Sequence, residues 1–207
     1  MIIAVDGPTA SGKGTIAQRL AEHYGLKRLD TGSLYRAVGL AVVDAGGDPG
    51  DETAAVAAAE ALDLAHIDQY RIRSGAAGLA ASKVATMPKV REVLRRAQRA
   101  FANDPAGAVL DGRDIGTVIC PNAGVKLFIT ASLDERTRRR LKELHARGET
   151  IGFDELKAQI AERDARDINR TDSPLRQADD AHAIDTTTLS VDDAVAAACA
   201  IVDRAKP

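Results

Sequence analysis

The opening of the chain limits its fold more than any other stretch. Met1, Ile2, Ile3, Ala4 and Val5 are apolar, and a short run of that kind reads as a buried parallel strand. Asp6 ends the run, and Gly7-Pro8-Thr9-Ala10-Ser11-Gly12-Lys13-Gly14-Thr15 follows. Ile16, Leu20 and Tyr24 then recur every four residues, as on one face of a helix. Strand, glycine loop and helix start in that order make a phosphate-binding loop. The glycines let successive N–H groups curl inward as an anion nest, and the helix adds the positive end of its dipole. Lys13 brings a full charge to the β- and γ-phosphates of a nucleotide.

The remainder alternates between strands and helices. Residues 26–29 read as a second strand, carrying Asp30, Thr31 and Gly32 to its end, and 33–45 as a helix. Residues 108–110 read as a third strand running into Asp111-Gly112-Arg113-Asp114, 125–130 as a fourth and 183–185 as a last. Pro88 opens a helix whose apolar stripe reaches Phe101. Charged helices are expected at 133–147 and 153–169, and Ser190 caps a closing helix at 191–205. Between them, 51–81 reads as a compact insertion with an alanine-rich helix at 52–62, a small strand at 67–72 and a turn at 75–78. This alternation predicts an α/β fold, a parallel sheet of about five strands covered by helices on both faces. Ligands of such sheets sit at the carboxyl ends of the strands.

Bulk properties exclude several classes. A net charge of -2 argues against a nucleic-acid-coating protein. Cys120 and Cys199 are far apart, as are His23, His66, His145 and His182, so no His/Cys metal site is expected. The thiols suit a reducing cytosol. Asp6 interrupts the first apolar run too early for a signal peptide, and no stretch approaches the ~18 apolar residues of a membrane helix. The expectation is a cytoplasmic monomer with small-molecule partners and neither nucleic acid nor membrane.

The strand ends carry the chemistry. An acid after an apolar strand in such a protein organises Mg²⁺, which makes Asp111 the candidate, with capping of the turn at Gly112 as the alternative. The place after the lysine, where a Mg²⁺-binding hydroxyl usually stands, is Gly14, and the hydroxyl arrives on Thr15. Between residues 134 and 176 eleven Lys/Arg and ten Asp/Glu interleave, which for most of them means solvated helix faces. Arg163, Asp167 and Arg170, four and three apart, fall on one face and are able to hold a phosphate and a sugar hydroxyl together.

Gly-Lys-Gly-Thr resembles the nucleoside monophosphate kinases, in which Mg²⁺ is held mainly through water and the nucleotide phosphates. The whole chain resembles the bacterial cytidylate kinases. The matching stretches are Ile3-Ala4-Val5-Asp6-Gly7-Pro8 with Ser11-Gly12-Lys13-Gly14-Thr15; Leu29-Asp30-Thr31-Gly32-Ser33-Leu34-Tyr35-Arg36; Pro88-Lys89-Val90-Arg91-Glu92; Asp111-Gly112-Arg113-Asp114-Ile115-Gly116-Thr117-Val118; Glu162-Arg163-Asp164 through Asp167, Asn169 and Arg170; and Asp185-Thr186-Thr187-Thr188-Leu189-Ser190.

The resemblance implies transfer of a phosphoryl group from Mg²⁺-ATP to CMP or dCMP. It implies one kinase domain over 1–207, with a core at about 1–45, 86–132 and 180–207, an acceptor-binding insertion at about 46–85 and a mobile helical lid at about 133–172. Residues 7–15 would hold ATP, and Asp111 and Thr15 would hold the metal through water. Cytosine contacts would fall on Ser82, Arg91 and Asp114, and acceptor-phosphate contacts on Arg36, Arg113 and Arg170 with Thr31 nearby. Ribose contacts would fall on Arg163 and Asp167, while Tyr35 would line the pocket. Arg139 or Arg140 in the lid would reach the ATP phosphates. The insertion is shorter here than in the family between Leu64 and Ser82, which bears on Ser82 in particular. Rival readings are a kinase for UMP, AMP or shikimate, a switch or motor ATPase, and a silent binding module. The Asn-Lys-x-Asp and Leu-Ser-Gly-Gly-Gln signatures of switch and motor proteins are missing.

Overall fold

The computed structural model describes residues 1–205 and all of their side chains except that of Ala65. Strand β1 (Ile2–Asp6) lies in the middle of a wholly parallel five-stranded sheet. The order across it is β2 (Lys27–Asp30), β3 (Ala108–Gly112), β1, β4 (Val125–Thr130) and β5 (His182–Asp185). Around it run α1 (Lys13–Tyr24), α2 (Thr31–Asp44), α3 (Glu52–Glu60), α4 (Gly75–Val84), α5 (Pro88–Ala102), α6 (Leu133–His145), α7 (Phe153–Asn169) and α8 (Val191–Ala205). The fold is therefore α/β, as expected.

Strand alternation explains the layers. Ile3 and Val5 face Leu20 of α1 and Ala198 and Val202 of α8, while Ala4 between them lies beside its register partner Leu110 on the other face, in one cluster with Ala102 of α5. A second core joins Leu34, Val38 and Val42 of α2 to Ala55 of α3 and Leu94 of α5. A third, small one of Leu144, Leu156 and Ile160 holds α6 against α7.

Where β1 turns into the loop, Gly7 is indispensable. Its φ is +151°, and a Cβ there would stand 2.0 Å from the Ile129 carbonyl oxygen. Gly12, with φ +88°, occupies the left-handed region as the residue before α1. Gly25 closes α1 as expected, its N–H bonded to the Ala21 carbonyl.

The insertion departs from the sequence expectation in two places. Residues 67–72 form no strand. The Asp68 carboxylate accepts from the N–H groups of Tyr70 (2.9 Å) and Arg71 (3.0 Å), which bends the chain into a 3₁₀ turn at Arg71–Arg73. Residues 75–78 are no turn but the first part of α4. The Ser74 hydroxyl accepts from Ala77 N–H at 3.1 Å, and the Glu149 carboxylate accepts from Gly75 N–H at 3.0 Å. A further feature, a π-helical turn at Ile115–Ile119, carries no sequence signal of its own.

Candidate active site

One cavity of about 1120 Å³ opens at the carboxyl ends of β1, β2 and β3. Thr9, Ala10, Ser11, Gly12, Lys13, Gly14 and Thr15 line one side of it. Gly7 and Pro8 stand behind that wall, where the Pro8 carbonyl accepts from Lys13 Nζ at 3.1 Å. Ala10 is held at φ +58°, so the loop keeps a curled backbone even at a residue with a Cβ.

Arginines converge on the other side. Arg36 comes from α2, Arg91 from α5, Arg113 from the turn after β3, Arg163 from α7 and Arg170 from the residue that ends α7. Four of the five stand beside a carboxylate. Arg36 Nη2 donates to Asp30 at 2.6 Å, and Arg113 Nε donates to Asp167 at 2.8 Å. Arg91 Nη2 donates to Asp114 at 2.7 Å, and Arg170 lies 3.8 Å from the other oxygen of Asp114. The Tyr35 ring sits 5.7 Å below the Arg91 guanidinium. The Thr31 hydroxyl is spent on the Asp111 carbonyl at 2.8 Å, which ties α2 to β3.

The remaining candidates separate. Arg139 and Arg140, adjacent in sequence, leave α6 in different directions. Arg139 bonds the Thr186 hydroxyl (2.9 Å) and carbonyl (2.7 Å), and its Nη1 lies 3.5 Å from where a Gly12 Cβ would be. Arg140 instead bonds Glu143 at 2.9 Å and the Arg73 carbonyl at 3.3 Å, on the insertion side. Ser82 does not line the large cavity. It borders a smaller one between α4 and α7, where its hydroxyl accepts from Arg166 Nε at 3.1 Å.

The charges are crowded. Burial and then the neighbouring Arg113 push Lys13 down to about 7. The same two causes push Arg163 down to about 10, and its Nε is buried without a hydrogen bond. Cations held this close in a shielded cleft favour an anionic ligand. Carboxylates crowd too. Asp30 and Asp111 are register partners on β2 and β3, and burial followed by Asp30 raises Asp111 to about 6. Two carboxylates side by side at the loop wall make a donor set that suits a hydrated divalent cation.

Sequence reasoning missed several participants. Arg28 pairs with Asp111 at 2.8 Å and lies 3.3 Å from where a Gly14 Cβ would stand. A side chain at 14 would make that guanidinium shift by a few tenths of an ångström. The alternation of β2, which puts residues 28 and 30 on one face, was the available signal. Asp6 accepts from Ile115 N–H (2.8 Å) and Gly116 N–H (2.7 Å) and so anchors the turn beyond Arg113 and Asp114. Nothing in the sequence links those positions.

A family model described as cytidylate kinase matches residues 3–204. The chain belongs to the cytidylate kinase family. Family relatives include the cytidylate kinase of Brucella suis biovar 1, 54% identical over 204 residues covering 99% of this chain and 93% of that protein. The cytidylate kinase of Brucella ovis is similar to the same extent, 54% over 204 residues with the same coverage of 99% and 93%. Solved structures similar to this family member in fold include a protein of Eubacterium ventriosum, with a TM-score of 0.57 at 17% identity and 98% of each chain covered. A gluconokinase of Sinorhizobium meliloti has a TM-score of 0.55 at 15% identity, covering 98% of this chain and 91% of that one.

Proposed function

We propose that the protein transfers the γ-phosphoryl group of ATP to CMP or dCMP, giving ADP and CDP or dCDP. The observation that carries this is the single cleft with the phosphate-binding loop on one side and Arg36, Arg91, Arg113 and Arg170 on the other. Family membership supports the same chemistry. An oxygen of the acceptor phosphate attacks the γ-phosphorus, and the bond from that phosphorus to the β–γ bridging oxygen breaks. The side chains supply alignment and charge, with no covalent intermediate. Residues 7–15 cradle the donor phosphates, Lys13 meets the β/γ end, and Arg139 covers the loop. Arg36, Arg113 and Arg170 hold the acceptor phosphate in line, while Arg163 and Asp167 take its ribose.

Base choice follows from donor and acceptor patterns. Asp114 accepts from the cytosine N4 amino group, and Arg91 donates to N3 and O2. Uracil offers an oxygen to Asp114 and a proton to Arg91, a mismatch worth up to about 10⁴-fold. Ser82, turned toward Arg166, is left out of the base contacts. Asp111 and Thr15 would hold Mg²⁺ through water, and the ion would supply charge neutralisation across the β- and γ-phosphates. Residues 46–85 act as the acceptor-binding insertion and 133–172 as the lid that excludes water. No helix among the described residues is long and apolar enough to cross a membrane, and both cysteines are free.

The test is a panel of CMP, dCMP, UMP and AMP with Mg²⁺-ATP in an assay of ADP release. CMP and dCMP should be the preferred acceptors. ADP release independent of acceptor, or preference for AMP or UMP, would refute the assignment.

A further inference from the structure

Behind the base-facing groups lies a second layer of charge that does not line the cavity. Asp172 sits in the segment after α7 and faces α5. Arg95 Nη2 donates to both of its oxygens at 3.0 Å, and Arg95 Nη1 is held in turn by Glu92 at 2.8 Å. The Ser173 hydroxyl donates to Asp172 at 2.9 Å. The carboxylate's Oδ2, which also accepts from Arg95, lies 3.4 Å from Arg91 Nε, a nitrogen that is buried and lacks a hydrogen bond.

That leaves Arg91 pulled from two sides. Its Nη2 is taken by Asp114 at 2.7 Å and its Nη1 reaches the Ala85 carbonyl at 3.4 Å. An arginine and a carboxylate left to themselves close into a two-bond fork. A closed fork between Arg91 and Asp114 would use up the groups that must read the base. The charge of Asp172 on the Nε edge opposes that rotation. The same segment also orients Arg170, whose Nε donates to the Ser173 carbonyl at 2.6 Å. Ser173 is buried at φ +53°, a left-handed conformation that a residue with a Cβ adopts only when its surroundings enforce it.

We propose that Asp172, braced by Arg95, is a positioning residue for nucleobase selection, holding the Arg91 guanidinium open for a pyrimidine edge. The proposal rests on Arg91 and Asp114 contacting the base, and its test separates the two. Steady-state kinetics and calorimetric CMP binding are compared for the wild type, Asp172→Asn and Arg95→Leu. In Asp172→Asn the KM and Kd for CMP should rise about tenfold, and the preference for CMP over UMP in kcat/KM should fall by about the same factor. The KM for ATP and kcat at saturating CMP should stay within about twofold, since the loss is one of acceptor binding. Arg95→Leu, at a partly solvated position, should shift the same two quantities in the same direction, and the double variant should be no worse than Asp172→Asn. Should Asp172→Asn fail to fold, Arg95→Leu decides the question by the same criteria. Unchanged CMP affinity and unchanged CMP/UMP preference, or an equal rise in the KM for ATP, would overturn the proposal. A wild-type protein without CMP kinase activity would instead remove the function on which it rests.

Discussion

Arg113 is the arginine with most to lose from isolation. Its Nε is fixed by Asp167, and its guanidinium crowds both Lys13 and Arg163. That crowding is relieved when phosphates enter, so the interaction is strongest where negative charge develops. Arg113→Ala should lower kcat by about 10²–10³-fold, the cost of removing one charge-stabilising donor. ATP-analogue affinity should hold within about twofold, and wild-type turnover in this variant would contradict the role. Asp6 tests a different kind of contribution. Burial raises its pKa from 3.8 to about 7 against the pull of the Gly116 and Ile115 N–H groups, with Asp114, Arg113 and Cys120 as its charged or titratable neighbours. A raised carboxyl binds its proton more tightly folded than unfolded, so its contribution to stability falls as pH rises from about 4 to about 7 and then levels. Thermal unfolding of the wild type against Asp6→Asn should show that trend in the difference, with wild type losing ground across the window. A pH-independent difference would mean that Asp6 stays ionised throughout.

At the scale of elements, α2 and α4 pack tightly against each other. A Cβ on Gly39 would stand 2.8 Å from Ala80 Cβ and 2.9 Å from the Ala80 carbonyl carbon. The obstacle includes backbone, so no rotamer change relieves it. Gly39→Ala should therefore destabilise by about 1–3 kcal/mol despite its better helix propensity. Chemical denaturation measures this, and an increase in stability would show that α4 is free to slide. The close packing also explains why residues 75–78 are helical. Gly75, Ala76, Ala77 and Gly78 look like a turn by local preference, but small side chains are what a tight helix crossing needs. Glu149, far away in sequence, supplies the acceptor for the helix start. By contrast α1 and α5 follow their own apolar periodicity and α8 its Ser190 cap, and these were readable without any partner.

On the scale of the molecule, two peripheral bodies face each other over the cleft. The segment of α6 and the loop after it touches residues 70–75 through Glu149 to Gly75, Arg147 Nη2 to the Tyr70 carbonyl at 2.8 Å and Arg140 to the Arg73 carbonyl. The phosphate loop and the arginine cluster line one cavity, so a ligand spanning both should gain from both. Adenosine and cytidine joined by a polyphosphate chain should raise the Tm more than the same concentrations of ADP and CMP together. At a hundredfold excess over its Kd such a ligand adds about 2.7 kcal/mol, or roughly 5–10 °C for a chain of this size. A shift no larger than that of the better single nucleotide would mean that the two halves do not bind as one site.

The phosphate loop, the parallel sheet and most helices could be read in advance because each depends on contiguous residues: glycines that permit a curled backbone, a lysine at the helix start, apolar side chains at the period of the element. The second strand and second helix were displaced by about a residue or two because Asp30, read as loop, caps α2 by accepting from Ser33 N–H. What packing alone settled is which charge meets which. Arg28 with Asp111, Arg95 with Asp172 and Asp6 with the turn at Ile115–Ile119 join positions whose distance along the chain says nothing of their distance in space. Coulomb energy and hydrogen bonding act only across the final separation, and the helices and strands set that separation when they close on their common core.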